Sequence, residues 1–240
     1  MPNHVTNILQ FNCSKEKFIE IAESIRKDDS FLGSVDFNKV LPMPPELDIE
    51  AGSRGEQGLK LYKEFLKWKE EQHLTGSQEE VLRDYIQRME IDPETIELGK
   101  QYLDNLLNHG AATWYDWCVA NWGTKWNACE VQVSDYTIEF STAWAFAEPV
   151  MRKLAELCAK HSVDFEGEWA DEDMGSNTGC FDTMGDEKFY CSYYDDCSHN
   201  AYAAYVRCNG ESDCLGVDED GNYYRYECGE SCPNYEECMG

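Results

Sequence analysis

The sequence predicts an α+β fold in which a mostly antiparallel sheet carries helices on one face and a helical insertion interrupts it. Three observations predict this. Short segments with alternating apolar residues recur, several of them paired across turn residues. Capped helical stretches stand between them. A continuous helical run occupies about residues 46–110.

The elements follow in order. Val5–Asn12 (VTNILQFN) alternates and is rich in β-formers, which predicts a first strand. Ser14 is placed to cap a helix over about 15–27, with Phe18, Ile21, Ala22 and Ile25 on one face. Val35–Val40 reads as a second strand, closed by Leu41-Pro42-Met43-Pro44-Pro45, which neither a helix nor a central strand can cross. The opening is therefore expected to be β-α-β.

Residues 46–110 change character. Leu61, Tyr62, Phe65, Leu66 and Trp68 have helical spacing. Ser77-x-x-Glu80 is a capping box ahead of a face made of Val81, Leu82, Tyr85, Ile86 and Met89. Asp92-Pro93 supplies an N-cap and a first-turn proline before Ile96, Tyr102, Leu103, Leu106 and Leu107. These apolar stripes read as core.

A helix is expected over Ala111–Trp122, stopped by Gly123. Cys129–Val133 and Tyr136–Phe140 form a hairpin about Ser134-Asp135. Pro149 opens a helix to about Lys160, and Asp164–Trp169 is a strand. Gly179–Met184 and Lys188–Tyr193 pair about Gly185-Asp186. Ser198 caps a short helix through Val206. Cys214–Val217 and Tyr223–Cys228 form a hairpin over Asp218–Asn222. At 240 residues this is read as a single domain, 1–240, with an acidic, cysteine-rich part from about 161 to 240.

Charge constrains function more than any motif. The chain has 47 acidic and 20 basic residues, a net −27. From His161 onward there are 20 acids against Lys188, Arg207 and Arg225 alone, so that third carries −17. Such a field repels nucleic acid and anionic membranes and attracts basic surfaces. No apolar run approaches the ~18 residues that span a bilayer. Met1-Pro2-Asn3-His4 has neither the charge nor the apolar stretch of a signal peptide, so the protein is expected in the cytoplasm of whatever cell makes it.

Twelve cysteines are present, eight of them at 180, 191, 197, 208, 214, 228, 232 and 238. In a cytoplasmic chain they are expected to be reduced, and most to act as small apolar residues. No C-x2-C pair is present. Cys208, Cys214, Cys228 and Cys232 are the candidates for a structural zinc site should they converge; otherwise no cofactor is expected.

One stretch is too idiosyncratic to be generic: Trp114-Tyr115-Asp116-Trp117-Cys118-Val119-Ala120-Asn121-Trp122-Gly123-Thr124-Lys125-Trp126-Asn127-Ala128. Together with Asn3–Asn7, Asp36–Pro44, Phe140–Trp144 and Glu168–Gly175, it resembles the YubB-like, Api-type ferredoxin-like domain family of phage and plasmid proteins. The resemblance spans about 1–48 and 111–227. It implies a ferredoxin-like α+β core and a mobile-element origin. It implies no iron–sulfur cluster, and it carries over no catalytic residue, since the family has no established activity. The cysteine-rich, acidic 180–238 segment departs from it.

The candidate sites are acidic. Glu166, Glu168, Asp171, Glu172 and Asp173 place five carboxylates in eight positions, and Asp195, Asp196, Glu211, Asp213, Asp218, Glu219 and Asp220 extend the field. They read either as a patch for a basic groove or cation, or as a solvated strand end and loop. Asp218-x-Asp220-Gly221-Asn222 opens like a calcium loop, but Gly229 stands where the bidentate Glu is required, so a hairpin turn is the better account. Trp114, Trp117, Trp122, Trp126 and Trp144 lack the cationic groove that base stacking requires and read as core. No P-loop, GxGxxG, G-x-S-x-G or HExxH occurs, and although Cys118, His109 and Asp116 can be written down as a triad, helical spacing does not by itself orient such groups.

The chain is thus expected to be a non-enzymatic counter-defence protein (anti-CRISPR or anti-restriction, for example). It would present a DNA-like acidic surface to the basic groove of a host nucleic-acid-binding protein, without binding nucleic acid or membrane itself. The alternative is an accessory structural or interaction domain whose acidity serves solubility, with zinc possible.

Overall fold

The computed structural model describes residues 3–27, 34–183 and 188–226. By contact the chain divides into two compact units: Met43–Ala120, and the combination of Met1–Pro42 with Asn121–Gly240.

The larger unit begins with strand β1 (His4–Asn12), which alternates as its sequence requires: Val5, Asn7, Leu9 and Phe11 are buried. Helix α1 (Lys15–Ser24) is capped by Ser14, whose side chain accepts from the Lys17 amide, and it buries Phe18, Ile21 and Ala22. The expected second strand is not formed. Phe37–Val40 is instead a one-turn helix, α2, capped by Asp36, and Asn127 Oδ1 accepts from the Phe37 amide at 2.8 Å. The reason is topological. Both edges of β1 are already paired, to β3 (Thr137–Ala143) and to β4 (Asp164–Asp171), so a strand at 35–40 would have no place beside it. The β-α-β opening is therefore completed only after the helical unit, by β2 (Cys129–Ser134).

β2 and β3 form the expected hairpin. Helix α7 (Glu148–Lys160) follows, with Pro149 in its first turn and Val150, Met151, Leu154, Ala155 and Cys158 buried. It leads into β4, and β5 (Gly179–Asp182) and β6 (Tyr190–Tyr193) extend the sheet. The strand order is β2-β3-β1-β4-β5-β6, antiparallel throughout. Within it, β1-α1-β2-β3-α7-β4 is the ferredoxin-like βαββαβ arrangement, with two further strands added at the β4 edge.

One sheet face is an aromatic core. Phe146 stacks on Trp169 at 4.1 Å, Phe11 lies against both Phe18 and Phe165, and Phe37 meets Phe140 edge-on. Asn7 is fully buried within it, and its Nδ2 donates to the Val5 and Phe140 carbonyls and to Thr142 Oγ1.

Helix α8 (His199–Asn209), capped by Ser198, corrects the expectation of helices on one face only. Its Asn209 hydrogen-bonds Thr6 and its Arg207 pairs with Glu168, and both strand residues point away from the aromatic core. A separate hairpin, β7 (Leu215–Val217) with β8 (Tyr223–Arg225), follows.

The smaller unit is helical, as its capping signals predict. It contains a 3₁₀ turn (Pro45–Leu47) and helices α3 (Ser53–Glu71), α4 (Gln78–Met89) and α5 (Pro93–His109). Ser77 and Asp92 act as N-caps. Tyr62, Phe65, Leu82, Tyr85 and Ile96 form one core cluster, and Leu98, Tyr102 and Ala112 a second. Helix α6 spans Trp114–Asn121, and Gly123 follows in the left-handed region at φ 78°. Met89 and Leu107, expected in the apolar stripes, are exposed instead.

Candidate interaction surface

Antiparallel pairing sorts the carboxylates of the larger unit onto two faces. The register places Thr137, Gln10, Glu166, Asp182 and Tyr190 in one row across β3, β1, β4, β5 and β6. Glu139, Ile8, Glu168 and Cys180 form the next row on the same face. Asp164, two residues before Glu166, shares that face because successive strand side chains alternate sides.

Among the described residues, no strand position on this face carries Lys or Arg. The cation that reaches it is Arg207 of α8, which grips Glu168 with two guanidinium nitrogens. That contact also holds the Arg207 guanidinium above its ordinary pKa. Glu166 is exposed, while Asp182 is half-buried with its Oδ1 shielded from solvent and unpartnered in protein. Two shallow depressions, of about 440 and 480 Å³, share Gln10, Glu166 and Asp182; one runs toward Glu168 and Arg207 and the other toward Asp164 and Thr183.

The sequence-predicted acidic run is divided by this geometry. Glu166 and Glu168 lie on the face away from the aromatic core, Glu166 exposed and Glu168 half-buried beneath Arg207 of α8, and Glu172 and Asp173 are exposed in the loop after β4. Asp171 is corrected: it is only 5% exposed and is a structural acceptor. Asn177 Nδ2 donates to its Oδ2 at 2.9 Å, and the Asp173 amide donates to its Oδ1 at 2.9 Å. Its place on β4, an odd number of residues from Glu166 and Glu168, turns it to the core side.

Asp195 and Asp196 are exposed between β6 and α8. Asp218, Glu219 and Asp220 form the tip of the β7–β8 hairpin, outside the six-stranded sheet. There Asp218 accepts from the Asp220 and Asn222 amides, which lowers its pKa and closes the turn, with Gly221 at φ 87°. The sequence missed Glu139, Asp164 and Asp182 as members of the acidic face. Alternation alone associates Glu166 with Glu168, but cross-strand neighbours require the register.

The cysteine expectations resolve in part. Cys208 is buried in α8, and burial pushes its thiol up to about 12. Cys214 precedes β7, and Cys228 and Cys232 lie outside the described residues. Cys118 is buried, its thiol raised to about 11 by desolvation, and it faces Met43. His109 faces Glu46 instead, so the geometry supplies no activated nucleophile there.

Of the tryptophans, Trp117 and Trp122 are core as expected. Trp144 is 43% exposed, and the Lys125 ammonium lies between its ring and that of Trp126, at 4.9 and 4.8 Å from their centroids. Among the described residues no helix is long and apolar enough to cross a membrane.

Comparison with known proteins gives a match over part of the chain. Residues 121–208 match the family model described as the ferredoxin-like domain in Api92-like protein. This segment is the part of the chain that supplies β2, β3, α7, β4, β5, β6 and most of α8, and over it the chain is similar to that domain. The crystal structure of a protein api92 from Yersinia pseudotuberculosis aligns with 81% of this chain and 99% of its own, at 8% identity and a TM-score of 0.36. An overlap that loose carries no argument about function. No curated protein matches significantly.

Proposed function

We propose that this protein is a non-enzymatic binding protein of a phage or plasmid, akin to the YubB-like proteins, that acts against host defence. Its acidic sheet face occupies the basic groove of a host nucleic-acid-handling protein, in the place of nucleic acid.

One observation carries the reading. Asp164, Glu166, Glu168, Asp182 and Glu139 share a sheet face whose own strands contribute no base among the described residues. Glu166 stands directly across from Asp182, and like charges so placed destabilise a sheet. Solubility does not require paired carboxylates fixed on a rigid sheet, since dispersed surface charge achieves it. A competitor for a groove that reads phosphates does require them: DNA carries a charge every ~1.7 Å, and its binding partners track that array with Lys and Arg. Strand rise sets Asp164, Glu166 and Glu168 ~6.8 Å apart in succession.

The test is capture of partners from host cells by the tagged protein, identified by mass spectrometry and challenged with duplex DNA and with salt. The captured protein should be a nucleic-acid-binding one, be displaced by DNA, and dissociate steeply as salt rises, because exposed charges are screened over ~8 Å at physiological ionic strength. The variant Glu139→Lys/Glu166→Lys/Asp182→Lys should lose it. An equal number of reversals at Glu70, Glu71 and Glu79 in the helical unit should not. Equal loss from both sets reduces the effect to net charge, and loss from neither refutes the proposal. The protein alone should leave duplex and single-stranded DNA unshifted at low salt.

A further inference from the structure

At the opposite edge of the sheet from β6, three side chains of different chemistry converge. His4 opens β1, and Cys129 and Glu130 open β2. A ring nitrogen of His4, Sγ of Cys129 and a carboxylate oxygen of Glu130 all lie within 4.8 Å of one another. Among the described residues, no other trio of His, Cys, Asp and Glu gathers so closely.

The backbone is bent to make this meeting. In a regular strand, consecutive residues point to opposite faces, so Cys129 and Glu130 would be separated. Here β2 carries a bulge: Cys129 pairs with Ser141 and Gln132 with Glu139, leaving one extra residue on β2. Glu130 sits in the left-handed region at φ 53°, a conformation that costs a residue with a Cβ backbone energy. The result turns Glu130 to the side where Cys129 and His4 lie.

Ser141, on the neighbouring strand, steadies Glu130 and holds Cys129 while it is a thiol, a bond given up with the proton when metal binds. Its Oγ donates to Glu130 Oε2 at 2.9 Å, and its carbonyl accepts from Cys129 Sγ at 3.4 Å. The same Glu130 oxygen lies 3.8 Å from His4 Nδ1. This is how ligating groups are commonly oriented, by a second layer of hydrogen bonds.

We propose that His4, Cys129 and Glu130 form a binding site for zinc or a similar borderline-soft divalent ion. Sulfur and imidazole select such a metal over calcium or magnesium, which take all-oxygen sets. Zinc bonds of about 2.0–2.3 Å in a tetrahedron set donors ~3.3–3.7 Å apart, so binding contracts the triangle modestly. The Cys129 proton is released to solvent as the thiolate–metal bond forms, while His4 binds as neutral imidazole and Glu130 as carboxylate. Three protein donors leave a fourth position for water or for a side chain of a partner. The site uses neither Cys208 nor Cys214, and it stands independently of the acidic-face reading.

The test is titration of the reduced full-length protein with cobalt(II) as a spectroscopic substitute for zinc, followed by zinc displacement. The first equivalent should give a thiolate-to-cobalt charge-transfer band together with tetrahedral d–d absorption, and zinc should remove both. Cys129→Ser should abolish the charge-transfer band. His4→Gln and Glu130→Gln should weaken binding with an unchanged circular dichroism spectrum, and Ser141→Ala should weaken it by roughly 10-fold or more. Cys228→Ser/Cys232→Ser should leave the first equivalent intact. The proposal fails if no stoichiometric cobalt binds, if the first band survives Cys129→Ser, or if the Cys228/Cys232 variant is the one that loses it. Should Cys129→Ser misfold, unchanged affinity in both His4→Gln and Glu130→Gln overturns it equally.

Discussion

Glu166 of β4 and Asp182 of β5 are directly paired across the sheet, two carboxylates in register on the face away from the aromatic core, with uncharged Gln10 on the other side of Glu166. Cross-strand pairs contribute a few tenths to 1 kcal/mol, and like charges act against the sheet. Glu166→Lys should therefore raise stability by about 0.5 kcal/mol, measured by urea denaturation. In the same variant, partner capture should fall. That combination separates a functional carboxylate from a structural one, because loss of a structural group lowers stability first.

Asp171 should behave in the opposite way. Its carboxylate is buried and holds Asn177 and the Asp173 amide, so Asp171→Lys places an uncompensated cation among donors. A loss of about 3–5 kcal/mol is expected, enough to unfold many domains. Asp171→Asn, which keeps the shape but weakens the acceptor, should cost about 1–3 kcal/mol. Equilibrium unfolding of the two variants checks both values.

In the helical unit, α3 and α5 touch through glycines. A Cβ at Gly58 would meet the Thr95 carbonyl at 2.0 Å, and one at Gly99 would meet the Gly58 carbonyl carbon at 1.9 Å. Alanine gains up to about 1 kcal/mol over glycine in a helix interior, but backbone cannot yield as a side-chain tip can. Gly58→Ala and Gly99→Ala should each be net destabilising, by roughly 1–3 kcal/mol or more. A rise in thermal midpoint for either would mean that the helices are not so close.

Stability should decline at alkaline pH. Burial raises the Cys158 and Cys208 thiols from 9 to about 12. Because their folded pKa values lie above the unfolded ones, their contribution is complete below pH 9 and is lost as pH rises toward 12. Denaturant midpoints measured from pH 8 upward should fall across that window. Iodoacetamide at pH 8 should modify exposed Cys197 well before Cys158 or Cys208, read by peptide mass spectrometry.

Helix ends and hairpins were legible because their causes are local. Ser14, Ser77, Asp92 and Ser198 announce caps through side chains that satisfy free amides within three residues, and the structure uses each of them. The error at Val35–Val40 has a non-local cause. Its residues suit a strand, but the pairing sites along β1 go to β3 and β4, which arrive more than a hundred residues later. Asp36 and Asn127 then hold the segment as a turn of helix.

The sequence by itself determined the α+β class, the helical insertion, most element boundaries and the concentration of negative charge in the last third, since periodicity, capping and composition reside in neighbouring residues. Tertiary structure decided which carboxylates share a face. A one-residue change of position moves a side chain through the sheet, which buries Asp171 while Glu166 and Glu168 remain on the opposite face. It also decided that Glu139 and Asp182 join them, and that His4 meets Cys129 and Glu130 across more than a hundred residues of chain. Strand register and a bulge make those meetings, and both are set by pairing between segments whose separate sequences do not encode their distance.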